Sequence, residues 1–262
     1  MRGLTLGRSL IFIVSVVVGA TACDSGPKAG EEAVYWGGKL NTESELTKRD
    51  TALNHLTDLK DKKALPSLYE ALKQKGPMAE LRPKIAELIG IVGDETSVGP
   101  LVDAIDWSAG AGGAGKEAKF NANTNEKVAK ALGKLAKGTD DKAVDSLKRL
   151  ADNNSQDVQL AAVVALGDIK APGAVDKLIE IADGHPNNFM VKNAQIALGK
   201  IGDPKSARVL GKLLFFERTG VSFYADASYE LFLLGKPALP VLDEIYDGKF
   251  KEIEELHIDP QV

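Results

Sequence analysis

The stretch AQIALGKIGDP, residues 194–204, has the residue spacing that decides the fold of this chain. Related segments occur five more times, and each has a leucine or an isoleucine at the position of Leu198, which we call the anchor. Positions within a repeat are numbered from this anchor, which is position 0. The six anchors are Leu56, Ile89, Leu132, Leu166, Leu198 and Leu231, and all but one of the intervals between them are 32 to 34 residues long. The chain is therefore built from internal repeats.

In every repeat, apolar residues lie four positions before the anchor and three positions after it. These three positions share one face of a helix with 3.6 residues per turn, so each segment is predicted to be a helix with a buried stripe. A second apolar helical pattern lies between successive anchors, for example AVDKLIEIA from Ala174. Turn-forming residues separate the two patterns. We predict an all-α protein, an α-α superhelix of about six helical hairpins over residues 43–249.

These units resemble a known family. Segments of the form A-x-x-A-L-G-K-I-G-D-P are similar to short HEAT repeats, particularly the PBS-lyase-like subclass. The period also equals that of tetratricopeptide and ankyrin repeats, but the signature residues of those families are absent from the sequence. The resemblance implies a solenoid acting as a scaffold or adaptor that binds a protein or peptide, with no cofactor. The alternatives are an enzyme related to bilin lyases or HEAT-repeat hydroxylases, or a purely structural lipoprotein.

The first 22 residues have a different character. Arg2 and Arg8 precede a mainly apolar run over residues 10–18, followed by small residues, which is the layout of a secretory signal. Ala-Thr-Ala-Cys, ending at Cys23, resembles the lipobox of bacterial lipoproteins, although Ala20 stands where that motif usually has leucine, and an ordinary signal-peptidase site also fits. The resemblance implies that Cys23 is lipidated and becomes the mature N-terminus.

We therefore expect an exported protein that is anchored by lipid to the inner or the outer bacterial membrane and faces the periplasm or the cell surface. Residues 23–42 have no sustained period and are predicted to form the lipidated N-terminus and a flexible tether. Tyr35 and Trp36 lie in this segment. They either sit at the membrane interface or pack on the first helix pair.

The charge of the chain argues against nucleic acid as a partner. Removing residues 1–22 takes away two of the 33 basic residues and none of the 37 acidic ones, so the mature chain has a net charge of −6. A general nucleic-acid binder has the opposite sign. Cys23 is the single cysteine, so no disulfide forms within the chain.

The resemblance to HEAT repeats places the anchor helices on the concave side of the solenoid, where a partner would bind. Polar residues on these helices form a mildly basic row that favours an acidic partner segment. The candidate contact residues in this row are Arg82, Lys127, Lys130, Gln159, Lys192 and Gln195. Phe216 and Tyr224 lie off the buried stripe in an aromatic-rich repeat and are candidates for a binding hot spot, although extra core filling also explains them.

Four further features complete the sequence-based predictions. The long interval between anchors contains residues 107–123, predicted to be an inserted glycine-rich loop that either is a tolerated spacer or contacts a partner. His55 and Glu230, one position before their anchors, are predicted to be polar caps at the two ends. Residues 250–262 are predicted to be a tail folded over the last helix pair. No motif indicates a catalytic group or a metal ligand, because the three histidines are isolated in the sequence.

Overall fold

The computed structural model describes residues 26–108 and 115–256. The predicted signal peptide, Cys23, residues 109–114 of the insertion and residues 257–262 of the predicted tail lie outside them. The described residues form thirteen α-helices, which are α1 (Glu32–Thr42), α2 (Leu46–Leu59), α3 (Leu65–Lys73), α4 (Arg82–Val92), α5 (Val98–Asp103), α6 (Lys116–Leu135), α7 (Asp141–Leu150), α8 (Gln156–Asp168), α9 (Val175–Gly184), α10 (Asn188–Ile201), α11 (Ser206–Leu213), α12 (Tyr224–Leu234) and α13 (Leu239–Tyr246).

Short elements complete the described secondary structure. A two-stranded antiparallel hairpin, β1 (Glu217–Arg218) and β2 (Val221–Ser222), connects α11 to α12. The described 3-10 helices are Lys62–Ala64, Gly76–Met78, Glu95–Ser97, Pro172–Ala174, Lys236–Ala238 and Lys251–Leu256.

The helices form two layers, and this confirms the predicted all-α superhelix. The anchor layer consists of α2, α4, α6, α8, α10 and α12, each of which contains one anchor residue. The outer layer consists of α1, α3, α5, α7, α9, α11 and α13. Most consecutive members of a layer pack side by side, and the apolar stripes of the two layers meet in one continuous core. The residues four before the anchor and the anchors themselves are buried in all six repeats.

Local side-chain chemistry sets where the helices begin. The Asp140 carboxylate accepts a hydrogen bond from the backbone N–H of Ala143 at the start of α7, and Asn187 caps α10 in the same way. Asp94 and Ser97 form a reciprocal capping box before α5. At the end of α10, Gly202 has a φ of 74°, the left-handed conformation that ends a helix with least strain. The Gly-Asp-Pro of the repeat is thus a helix stop.

A ladder of small residues holds neighbouring anchor helices close together. A Cβ atom built on Gly133 would lie 2.9 Å from the Cβ of Ala165, and one built on Gly167 would lie 2.8 Å from the Cα of Ala197. In each case the glycine is at position +1 and the alanine at position −1 of the next repeat. The Leu-Gly of the repeat is therefore a close-contact site between helices.

The structure differs from the predicted flexible tether over residues 32–42, which form α1. Ala33 and Leu40 of α1 are buried, and Asn41 donates a hydrogen bond of 2.9 Å to the carbonyl oxygen of Ser67 in α3. The Trp36 ring stacks on His55 of α2 with 3.9 Å between ring centroids. Of the two alternatives for Trp36, the structure shows packing on the first helix pair.

The predicted inserted loop is shorter than residues 107–123, because α6 begins at Lys116. Residues 116–123 extend α6 by two turns at its N-terminus, and the helix-forming sequence Lys-Glu-Ala-Lys accounts for this extension. Trp107 does not project freely, since the Arg149 guanidinium of α7 lies 4.0 Å from the centre of its ring.

The prediction of polar caps is correct in position for His55 and wrong for Glu230. Position −1 faces the preceding anchor helix, so His55 in the first repeat is exposed beside α1, whereas Glu230 faces α10 and is 4% exposed. The described part of the predicted tail folds back toward α11 through Phe250 and Glu252. Phe250 is buried there, and Glu252 pairs with Arg208 at 2.7 Å.

Candidate functional site

A groove crosses the exposed surface of three anchor helices, α4, α6 and α8. It has a volume of about 340 Å³. Its floor is apolar, because Gly90, Ala131 and Ala165 bring the helices together there and α8 adds the half-buried side chains of Leu160 and Val164. Leu160 and Val164 are four residues apart and share one face of α8. This floor is suited to receive an apolar side chain.

The rim of the groove has charges of both signs, and most of them are paired. Lys127 lies 3.1 Å from Glu87 on the neighbouring helix α4, and Lys130 pairs with Glu126 within α6. At the other wall Asp168 pairs with Lys200 of α10 at 2.7 Å. Four carboxylates and three lysines line the groove, so the predicted basic row is not a positively charged surface here.

Two rim charges differ from the rest. Lys134 at the end of α6 and Asp157 in the first turn of α8 are exposed, and neither has an ion-pair partner among the described residues. They lie on the two helices that flank the apolar floor. A bound segment therefore meets one free cation and one free anion beside Leu160 and Val164.

Two of the predicted contact residues, Arg82 and Gln195, are inside the protein. Arg82 is 2% exposed, and its guanidinium donates hydrogen bonds of 2.9 Å and 2.6 Å to the carbonyl oxygens of Leu72 and Ala104. Burial lowers the pKa of this guanidinium, and Asp106 opposes that shift. Gln195 is fully buried between α10 and α12, where it donates to the carbonyl oxygen of Phe223 at 3.1 Å. Neither residue lines the groove, and this part of the prediction is wrong.

The other predicted contact residues are spread over the surface. Gln159 faces a polar cleft formed by the loops before α8 and α10, with Asp152 and His185. Lys192 is half-exposed on α10 and pairs with Asp226 at 3.3 Å. The structure therefore brings together only Lys127 and Lys130 of the six polar candidates in the groove.

The two aromatic candidates have different surroundings. Phe216 is half-buried and stacks on the buried Phe223 with 5.5 Å between ring centroids, which agrees with the core-filling alternative. The Arg218 guanidinium lies over the Phe216 ring, 5.8 Å from the ring centre. Tyr224, in the first turn of α12, is exposed and remains a candidate.

A buried carboxylate lies between α10 and α12. Glu230 Oε2 has no hydrogen-bond partner among the described residues, and Gln195 Oε1 is buried and unpartnered in the same interface. Burial raises the pKa of Glu230 to about 6, the Asp226 carboxylate adds to this rise, and Lys200 opposes it. The carboxylate occupies the space beside Gly199, whereas the three preceding repeats have alanine at position −1.

Sequence reasoning missed Leu160, Val164, Lys134 and Asp157. The sequence does contain a signal for this apolar surface at position −2 of the repeat. There α8 has the apolar Val164, whereas α4 and α6 have the charged residues Glu87 and Lys130. In the described part of the chain, no three His, Cys, Asp or Glu side chains come together in a way that could hold a metal ion. None of the described helices has both the length and the apolar character needed to cross a membrane.

The described residues thus define a HEAT-like helical solenoid with a groove on its anchor layer. A family described as HEAT repeats matches residues 147–214, which span the end of α7 to the end of α11. A search of curated proteins gave no match.

Several solved structures are similar to this chain, including the following two. One is the complex of CpcE and CpcF of phycocyanin lyase from Nostoc sp. PCC7120, with 20% identity, a TM-score of 0.45, and coverage of 86% of this chain and 82% of the other. The other is human deoxyhypusine hydroxylase in complex with glycerol, with 16% identity, a TM-score of 0.42, and coverage of 86% and 93% respectively.

Proposed function

We propose that this protein is a scaffold that binds a segment of a protein partner in the groove over α4, α6 and α8. The observation that supports this most directly is the apolar floor of the groove, enclosed by a charged rim. Grooves with an apolar floor and a polar rim are the usual form of peptide-binding sites on helical surfaces. A cavity of about 340 Å³ accommodates one or two apolar side chains of a bound segment, not a whole folded domain.

The proposed partner segment has one apolar side chain with flanking charges of both signs. This apolar side chain packs on Leu160 and Val164, where its burial provides most of the binding free energy. A carboxylate of the segment pairs with Lys134, and a basic side chain pairs with Asp157. Because the neighbouring lysines are already paired with Glu87 and Glu126, the groove offers little extra attraction to a uniformly acidic segment.

A photo-crosslinking amino acid at Val164 tests the groove in cells. We expect crosslinks to a discrete partner from position 164 and not from Val34, an exposed apolar residue on α1 that serves as the matched control. Adding Leu160→Glu should lower the yield of the crosslinked product roughly tenfold or more, because a carboxylate on the apolar floor loses hydration when the partner binds. Equal crosslinking from both positions, or crosslinking that Leu160→Glu leaves unchanged, would argue against this site.

We also propose that the scaffold is exported and held at a membrane by lipid on Cys23. The motif ending at Cys23 supports this part of the proposal, and Asp24 to α1 provides a short connection between the lipid and the first helix pair. Mass spectrometry of the mature N-terminus should find a diacylated cysteine, and Cys23→Ser should release the protein from the membrane fraction. An unmodified thiol at the mature N-terminus would leave the scaffold without its proposed anchor.

A further inference from the structure

The last anchor helix has an aromatic side chain on the surface that, in the preceding repeats, packs against the following anchor helix. In the repeats anchored by Ile89 to Leu198, position +1 is a glycine that faces the following anchor helix. In α12 this position is Phe232, which is 78% exposed. Glu230, two residues earlier, points the opposite way, toward Gly199 of α10. Phe232 therefore points out of the C-terminal end of the stack. Tyr229, one turn from it at position −2, lies at the edge between this end and the side of the anchor layer that carries the groove.

The last outer helix presents apolar residues in the same direction. Val241 and Ile245 of α13 face back toward α11, where their side chains lie 2.7 Å and 3.4 Å from the position of a Cβ on Gly211. Leu239 and Tyr246 lie on the opposite side of α13, Leu242 lies on the flank between the two sides, and all three are exposed. We call Tyr229, Phe232, Leu239, Leu242 and Tyr246 the C-terminal end face.

The C-terminal end face is large for the surface of a monomer. Phe232, Tyr246 and Tyr229 are 78%, 91% and 59% exposed, which at about 200 Å² per aromatic side chain gives roughly 450 Å² of exposed aromatic surface. The two leucines add to this area. A stable interface buries about 800 Å² on each partner, so the end face supplies more than half of that area as apolar side chains.

The described part of the C-terminal tail does not cover this face. After α13 the chain turns back, so that Phe250 packs near Gly211 and Glu252 pairs with Arg208, both on α11. The charges around the face are balanced, because Lys236, Asp243, Asp247 and Lys249 supply two of each sign. A second copy of the same surface is therefore not repelled by its charge.

The N-terminal end of the solenoid is different in character. Position −1 of α2 is His55, which stacks on Trp36, and Lys48 and Thr51 are exposed on α2 beside it. This polar end is a poor counterpart for an aromatic surface, so head-to-tail stacking into filaments is disfavoured. A twofold axis brings two apolar C-terminal end faces together and closes the assembly.

We propose that the protein forms a twofold dimer in which the C-terminal end faces of two copies pack against each other. In an internal repeat, the next repeat covers the corresponding face. In the dimer, the second copy covers it instead. The two solenoids form one longer body with a groove on each half. This proposal does not depend on the identity of the groove's partner.

The test is the mass of the full chain in solution, measured by light scattering after gel filtration at several concentrations. We expect a concentration-dependent dimer. Phe232→Glu should raise its Kd roughly 10- to 100-fold, since a carboxylate would be buried at the centre of the interface. Phe189→Glu makes the same change at an exposed phenylalanine on α10 and should leave the dimer intact. Both side chains are exposed, so circular dichroism spectra of the two variants should match that of the parent.

Three outcomes would overturn the proposal. One is a monomer at about 100 µM, far above the micromolar Kd expected for a weak interface of this size. Another is a dimer that dissociates equally in Phe189→Glu and Phe232→Glu, or in neither. The third is a monomer that dimerises only after residues 257–262 are removed, because the tail is then the occupant of the C-terminal end face.

Discussion

Replacing Glu230 by glutamine should stabilise this protein at neutral pH and have little effect at acidic pH. Glu230 faces α10 at the position where the three preceding repeats have Ala131, Ala165 and Ala197. Its carboxylate is buried against Gly199 with one oxygen unpartnered, and Asp226 adds a like charge nearby. Each of these features disfavours the ionised form in the folded state.

The size of the effect follows from the raised pKa. The pKa of Glu230 rises from 4.5 to about 6 on folding, and each pKa unit corresponds to about 1.4 kcal/mol, so ionisation costs the folded state about 2 kcal/mol. Below the unfolded-state pKa the carboxyl is protonated in both states and this cost is absent. As the pH rises through the interval between the two values, the unfolded state loses its proton first. The stability contributed by protonated Glu230 is therefore lost with rising pH and is absent above about pH 6.

Urea denaturation followed by circular dichroism between pH 4 and pH 8 measures this effect. The difference in unfolding free energy between Glu230→Gln and the parent should be near zero at pH 4 and grow to about 2 kcal/mol at pH 7.5. Glu70→Gln is the control, because Glu70 is exposed on α3 and should show a small difference at every pH. A flat difference for Glu230→Gln, or a parent that is more stable at pH 7.5, would refute the reasoning.

Two further variants test the packing of the anchor layer by denaturant unfolding. Gly167→Ala should destabilise the protein by about 1–3 kcal/mol, since its new Cβ lies 2.8 Å from the Cα of Ala197. Gly99→Ala is the control: no atom lies within 4 Å of its new Cβ, so it should be neutral or stabilise the protein by up to about 1 kcal/mol. Arg82→Ala should lower the unfolding free energy by about 2–4 kcal/mol, because the buried carbonyl groups of Leu72 and Ala104 lose their hydrogen-bond donors. Lys84→Ala is the control: it breaks only the exposed ion pair with Asp50 and should lower the unfolding free energy by less than about 1 kcal/mol.

The repeat architecture was predictable because burial leaves a strong periodic signal. Positions −4 and 0 must be apolar in every repeat to fill the space between the two layers, and a helical period of 3.6 residues places both positions on the same face of the helix. The α1 helix was missed for the opposite reason. Its sequence, EAVYWGGKLNT, contains two adjacent glycines and has little apolar period of its own. It is stabilised by contacts with α2 and α3, which no local pattern in the segment reveals.

The groove lies on the layer of helices for which the sequence predicts partner contacts, but only Lys127 and Lys130 of the six polar candidates line it. The sequence pattern predicts that a residue off the apolar stripe is exposed, yet a helix inside a stack is covered on three sides, by the other layer and by both neighbours. Gln195 at position −3 faces the next anchor helix, and Arg82 at position −7 reaches the ends of α3 and α5. Positions −2 and +2 point away from the outer layer, and Val164 and Asp168 of the groove occupy them in α8.

The size of the residues at positions +1 and −1 also accounts for the location of the groove. The anchor helices from α4 to α10 meet through glycine and alanine and approach more closely than the outer helices opposite them. A two-layer stack whose layers have unequal spacing curves toward the closer layer, so the anchor layer is concave along this stretch. Between α2 and α4, Thr57 and Leu88 occupy the equivalent positions, and the helices approach less closely. The groove therefore lies where successive Gly-Ala contacts bring three helices together. At the end of the array Phe232 replaces the glycine at position +1, and no helix in the described part of the chain packs against it.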